Sequence, residues 1–217
     1  MLLNSRYDYK PLTREEREGR RLYATPSGAV PSVTTILDST KDKTFLIEWR
    51  KRVGEETANR ISKQATSRGT NLHTLCEKYL NNDPTYLLGS MPDALEMFKS
   101  VKSHLNRINN IHYQEQALWS VKIGMAGRVD CIGEFDGVLS VIDFKTSKRI
   151  KSEEDIPDYF AQCTAYALMY EELIGHPIDD LVIIMAVEHE KPLIFQQKTE
   201  KHIPGLVQCI HDYKKSA

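Results

Sequence analysis

Asp130, Asp143 and Lys145 are spaced so that one β-hairpin would bring two carboxylates and an ammonium to a single spot. They lie in the stretch AGRVDCIGEFDGVLSVIDFKTSKR, residues 126–149, which reads as two β-prone runs around Asp136-Gly137. That dipeptide suits a two-residue type I′ turn, where both central residues take positive φ. With such a turn Phe135 faces Val138, Ile132 faces Val141, and Asp130 falls opposite Asp143. Directly opposed residues have Cβ atoms roughly 4.5–5.5 Å apart, and like charges there destabilise the pair. Alternation places Lys145 on the same face, opposite Arg128. A four-residue loop would slide the pairing yet keep both aspartates on one face; an odd loop would separate them. A bound divalent cation is the usual resolution of converging carboxylates. The plainer reading is a charged, solvent-facing side of a half-exposed hairpin.

Other residues can join this set. His73 and Glu77 are four apart on a helical pattern and share one face, just after Gly69. Tyr113 to Val121 alternates, with Tyr113, Glu115, Ala117, Trp119 and Val121 on one face. Glu115 is the carboxylate on that apolar side, so it is a third acid for a metal or the partner of an arginine. Gln162 and Tyr166 share a helix face with Tyr159 and Tyr170, either as an amphipathic boundary or as a holder of water and phosphate. If His73, Asp130, Asp143 and Glu115 meet, hard oxygens and one imidazole suit Mg²⁺ or Mn²⁺, the imidazole favouring Mn²⁺. The Phe144 carbonyl, between Asp143 and Lys145, can also reach the ion. Such an ion lowers the pKa of bound water and neutralises charge on a phosphoryl oxygen. Lys145 would orient the attacking water or stabilise the developing charge. No P-loop accompanies the set, which points to metal-assisted phosphodiester hydrolysis rather than a nucleotide-driven motor.

These side chains need elements to hold them. Residues 1–22 read as a polar N-terminal arm, followed by one domain over 23–217, mainly helical to 110 and built on a sheet from 111. Pro26-Ser27-Gly28 marks a turn, and Ser32 is an N-cap for a short helix. Leu46, Trp49 and Val53, then Ala58, Ile61, Ala65, Leu72, Cys76 and Leu80, form a helical stripe that Gly69 is expected to split. A helix starts near Ser90-Met91-Pro92-Asp93, and another runs from Pro157 to a stop at Gly175. Leu181 to Val187 is continuously apolar, as in a strand covered on both faces; Leu193 to Phe195 reads as an edge strand and 203–213 as a last helix. The order implies an α/β fold with a mixed sheet flanked by helices.

Composition narrows the class. Hydrophobic residues make up 41% and charged residues 27% of the 217, ordinary for a globular protein. No apolar run is long enough to span a membrane, and Glu15, Glu16 and Glu18 argue against a transit peptide, so a cytoplasmic location in a bacterium or phage-infected cell is expected. Four scattered cysteines without CxxC or zinc spacing argue against disulfides, zinc and iron–sulfur clusters. The net charge of −1 excludes a uniformly basic protein but leaves room for local basic grooves, since Arg50-Lys51-Arg52 and Lys145, Lys148, Arg149 and Lys151 cluster.

Taken together, the motifs resemble those of the PD-(D/E)XK nuclease superfamily. Asp130 followed by Asp143-Phe144-Lys145 matches its split signature, while Gly69 to His73 and Gln162 to Tyr166 look like the GxxxH and QxxxY motifs of its RecB-like branch. Small phage exonucleases share this plan, and the likeness covers roughly residues 31–195. The resemblance implies a restriction-endonuclease-like core with an N-terminal helical addition. It implies metal ligation by His73, Asp130, Asp143 and the Phe144 carbonyl, with Lys145 catalytic and Gln162 and Tyr166 supporting. It also implies a Mg²⁺- or Mn²⁺-dependent DNA exonuclease acting on single strands with free ends, in DNA replication, recombination, repair or phage DNA metabolism. Arg50, Arg52, Arg68, Thr146, Ser147 and Lys148 are candidates to hold the strand. A structure-specific endonuclease and a non-catalytic DNA-end-binding module are the rival readings.

Overall fold

The computed structural model describes residues 12–17 and 20–216. Three short strands, β1 (Thr13–Arg17), β2 (Arg20–Thr25) and β3 (Gly28–Pro31), form an antiparallel sheet. Three helices follow, α1 (Val33–Ser39), α2 (Thr44–Val53) and α3 (Glu55–Leu80), then α4 (Pro92–Leu105). The main sheet is β4 (Ile108–Ser120), β5 (Met125–Phe135) and β6 (Val138–Ser147), then β7 (Asp180–Val187) after α5 (Pro157–Ile174), then β8 (Leu193–Lys198). The chain closes on α6 (Thr199–Ser216). Main-sheet strands lie in chain order, with β6 and β7 parallel and the other neighbours antiparallel. This is the mixed α/β arrangement expected from the order of elements.

The hairpin has the anticipated register: Phe135 pairs with Val138 and Ile132 with Val141, around Asp136 (φ 51) and Gly137 (φ 83). The ladder ends at Cys131↔Ile142, so neither the expected pairing of Asp130 with Asp143 nor that of Lys145 with Arg128 forms. Beyond that rung β6 is bonded to β7, with Lys145 beside Met185, and Arg128 pairs with Ala117 of β4. The strands separate where the charges begin.

The alternation on β4 also breaks. Tyr113 and Leu118 face α5, whereas Ala117 and Trp119 pack with Tyr23 of the small sheet. The inversion occurs at Glu115, whose φ is 50, a left-handed conformation unusual for a residue with a Cβ. The single shared face expected for residues 113–121 is therefore two faces, joined at the acid.

Two apolar layers sandwich the main sheet. Phe160, Met169 and Tyr170 of α5 lead one, with Ile36 and Leu37 of α1 and Leu206 of α6. Leu72, Leu75 and Leu80 of α3 pack with Phe98 and Val101 of α4 on the other. α5 ends at Gly175 (φ 79), and Ser32 caps α1 by accepting from the Thr35 N–H at 3.0 Å. Of the polar arm, residues 13–17 pair with 20–24, and residues 1–11 and 18–19 lie outside the described residues.

Gly69 does not split the helical stripe. α3 runs unbroken through it, and the break falls at Gly54 (φ 85, ψ 148), in a region that side chains other than glycine avoid. The stripe expected on residues 46–53 is not buried: α2 buries no residue, and Phe45, Leu46 and Ile47 are exposed. Gly54→Ala is expected to strain this corner by about 1–3 kcal/mol while leaving the core intact. Trypsin should then cleave faster after Arg50, Lys51 or Arg52, with the main melting transition in place; an unchanged cleavage rate would contradict the assignment of the corner.

Candidate active site

Four elements converge at the point where the hairpin opens. α3 supplies His73, β4 supplies Glu115, β5 supplies Asp130, and one ligand atom from each lies within 4.8 Å of the others. His73 Nδ1 is 3.4 Å from Asp130 Oδ1 and 3.9 Å from Glu115 Oε1. Glu115 and Asp130 sit between the rungs Gln114↔Cys131 and Gln116↔Val129, so the inversion at Glu115 sets its carboxylate beside Asp130. A left-handed non-glycine residue costs on the order of 1–3 kcal/mol, and here it aims an acid at the cluster. Glu115 Oε2 also lies 3.5 Å from Arg128 Nη1.

β6 supplies the other half. The Phe144 N–H donates to Asp130 Oδ2 at 2.8 Å, which locks the two strands together across the opening. Asp143 is 2% exposed, and Lys145 Nζ sits 2.5 Å from its Oδ2. The contact is a close, buried ion pair. Lys145 also donates to Gln162 Oε1 of α5 at 3.3 Å and lies 5.0 Å above the Tyr159 ring. Asp143 stands outside the three-membered cluster, held by its lysine.

The field at this point is set by burial against a few close charges. Burial opposes charging His73, yet Asp130 and Glu115 raise its pKa well above the ordinary value. Burial alone would raise Asp130, but His73, Lys145 and the Phe144 N–H hold it below the usual carboxylate range. Burial, reinforced by Asp130 and opposed by Lys145, lifts Asp143 to about 6. Lys145 rises in turn, the two aspartates outweighing its own burial. Burial and Asp130 push the Tyr166 phenol up, so it stays a neutral hydroxyl.

The sequence model of the PD-(D/E)XK nuclease superfamily matches residues 44–204. The chain belongs to the PD-(D/E)XK nuclease superfamily. Its relatives include the mitochondrial genome maintenance exonuclease 1 of Homo sapiens, 25% identical over 86% of this chain and 54% of that protein. The mouse protein of the same name is 27% identical over 65% of this chain and 46% of that protein. The chain thus spans about half the length of the curated relatives it matches. Among solved structures, a candidate exonuclease of Eubacterium rectale aligns with a TM-score of 0.40 and 10% identity, over 67% of this chain and 68% of that one.

PD-(D/E)XK nucleases use divalent metals, and the donor set suits one. Asp143 keeps both oxygens buried, with the Lys145 ammonium as counter-ion on Oδ2. Carboxylates and one imidazole are hard or intermediate ligands. The nearby thiols of Cys76, Cys131 and Cys163 have pKa values raised by burial and stay protonated, so they offer no soft alternative. All four cysteines are free. Among the described residues no helix is long and apolar enough to cross a membrane.

The candidate strand-holding residues are not gathered at one place. Arg50 is spent on Glu55 (2.5 Å) and Asn59 across the α2–α3 corner, and Arg52 is exposed at the end of α2. Ser147 is buried and donates to the Arg149 carbonyl, whereas Lys148 is exposed. Thr146 adjoins Gly69, where an added Cβ would stand 3.8 Å from its Oγ1. Arg68 is buried. Glu77 lines the cleft beside the cluster without joining it.

Sequence reasoning missed Gly127 and Arg14, and set Arg128 opposite Lys145 rather than beside Glu115. A Cβ on Gly127 would fall 2.9 Å from the Tyr166 ring and hydroxyl and 3.1 Å from Val33, so only glycine lets α5 and α1 approach β5. A glycine inside a strand was the available signal. Arg128 and Arg14 line a cleft of about 390 Å³ that opens onto His73 and Glu115; nothing in the spacing linked Arg14 to it.

A divalent cation is expected to raise the melting temperature, by about 2.7 kcal/mol of stability at a hundredfold excess over its dissociation constant. Asp130→Asn should erase the gain. Protons compete for the same atoms: His73 is charged below its raised pKa, and Asp143 takes up a proton as pH falls through about 6. The gain should therefore shrink on acidification through that value, as read by melting curves with and without Mn²⁺. A gain that persists in the Asp130 variant would refute the placement.

Proposed function

We propose that the protein is a divalent-metal-dependent exonuclease that hydrolyses phosphodiester bonds from free ends of single-stranded DNA. The observation that carries this reading is the meeting of His73, Glu115 and Asp130 beside the Asp143–Lys145 pair, on a chain of a nuclease superfamily. His73, Asp130, Asp143 and Glu115 would hold the ion, with the Phe144 carbonyl as a further donor. Mg²⁺ fits the oxygens, and the imidazole favours Mn²⁺. When bound, the ion supplies an acidified water and neutralises charge at the phosphoryl group.

The chain's own residues do the remainder. Lys145, fixed between Asp143, Gln162 and Tyr159, keeps its ammonium charged at the edge of the cluster. From there it stabilises the negative charge that grows on the phosphoryl oxygens, in a site where little water screens it. Gln162 holds the lysine, and Tyr166, seated on Gly127, fixes that turn of α5 against β5.

Preference for a single strand with a free end is supported by α2. Before it, Lys41 pairs with Asp158 in the first turn of α5 at 3.1 Å; in its last turn, Arg50 binds Glu55 and Asn59 of α3. α2 thus connects the two helices that carry Tyr159, Gln162 and His73, while burying no residue of its own. A strand with an end can be fed beneath such a bridge, and a closed circle cannot.

Linear single-stranded DNA labelled at either end should be degraded in Mg²⁺ or Mn²⁺, with a covalently closed circle left intact. Asp143→Ala and Lys145→Ala should each lower the rate by at least about 10²-fold with folding retained. Cutting of the circle would instead make the enzyme an endonuclease, and binding without cleavage would make it an end-binding module.

A further inference from the structure

A second pocket, of about 270 Å³, lies on the α3–α4 side of the sheet at the carboxyl end of β7. Crevices outside the carboxyl ends of parallel strands are habitual ligand sites in α/β sheets, and β7 runs parallel to β6. The pocket adjoins the active site through two short links. Arg68, in its wall, precedes Gly69, which faces Thr146. Glu188, also in the wall, donates its N–H to the carbonyl of Ser147, two residues past Lys145.

Arg68 is the unusual feature. It is 7% exposed, its Nε has no hydrogen-bond partner, and its Nη1 stands 3.7 Å from Glu188 Oε2, too far for a hydrogen bond. Of the five donors of its guanidinium, Nε is buried and unfilled, which is costly. Asp93, Glu96, Glu188 and Glu190 line the same pocket. His189, at φ 60, turns its Nδ1 to within 3.4 Å of Glu96.

This combination restricts the ligand. A phosphate would pair with Arg68 but enter a pocket lined by four acidic residues. A metal ion would meet the guanidinium, and among the described residues no three-ligand group forms here. A neutral, flat ligand with acceptors beside donors answers both demands. Guanine offers O6 and N7 to an arginine fork, and N1–H and N2–H₂ to carboxylates.

We propose that this pocket receives an unstacked nucleobase of the strand being degraded, guanine fitting best, with Arg68 reading its acceptor edge and Glu188 its donor edge. The inference rests on the nuclease reading above. It adds a reason for single-strand preference, because a base must leave its stack and its pair to enter.

The test uses single-stranded oligothymidylate carrying one guanine, or one abasic residue, at each of the first positions from the end. At one position, guanine should raise kcat/KM about tenfold over thymine or the abasic residue. Binding measured by anisotropy in EDTA, where no hydrolysis occurs, should show the same order. Arg68→Met, which keeps the stem and removes the fork, should bring the guanine-to-abasic ratio close to one. Glu188→Gln, at the more exposed rim, should cut the guanine advantage severalfold and serves if the arginine variant does not fold. A ratio of one at every position in the wild type, or a ratio unchanged in the folded variants, overturns the pocket. Wild-type protein that degrades none of these strands overturns the nuclease reading instead, and the EDTA binding series still decides the pocket.

Discussion

The structure turns on carboxylates held together against their own repulsion. Asp130 and Asp143 are buried, and Glu115 is largely covered beside them. Two cations keep this arrangement from forcing the sheet apart: His73 against Asp130, and Lys145 against Asp143. Separate buried carboxylates would otherwise take up protons or leave the interior. The rise of Asp143 to about 6 shows how incomplete the compensation is. A site with that residual imbalance favours the arrival of more positive charge, which is what a nuclease centre needs from its metal.

The rest of the fold supports this arrangement by keeping the ladder from closing. If β5 and β6 stayed paired beyond Cys131↔Ile142, Asp130 and Asp143 would be fixed as cross-strand neighbours. Instead the β5–β6 ladder stops there, while β6 stays paired with β7 on its other edge, and the Phe144 N–H goes to the Asp130 carboxylate. The left-handed Glu115 performs the matching adjustment on β4. Strain in the strands is tolerated because apolar layers on both faces, led by Phe160 and Tyr170 on one and Leu72 and Phe98 on the other, bind the sheet independently of the site.

Function and stability are divided among the helices accordingly. α3 and α5 are anchored by buried faces and carry the working side chains. α2 buries nothing and is tied near its ends by ion pairs, so it contributes little to the core. Arg68 belongs to the anchored class, a charged group on the buried face of α3. Its buried, unfilled Nε is a cost that the fold carries.

Much of this was readable in the residues themselves. Asp136-Gly137 determined the turn, the turn determined the register, and the register put Asp130, Asp143 and Lys145 in one neighbourhood. Periodicity located α3, α4 and α5, and the apolar run marked β7. These are local or period-bound signals, written within a few residues of where they act. Only the tertiary structure decided where the ladder stops, that Arg128 serves Glu115 rather than standing opposite Lys145, and that α2's apolar residues face outward. It also decided that Glu115 joins His73 and Asp130, through an inversion no alternation pattern contains. Gly127 and Arg68 take their meaning from Tyr166 and Glu188, far away in the chain. Long-range packing chooses such partners, and a sequence period carries no information about which surfaces will meet.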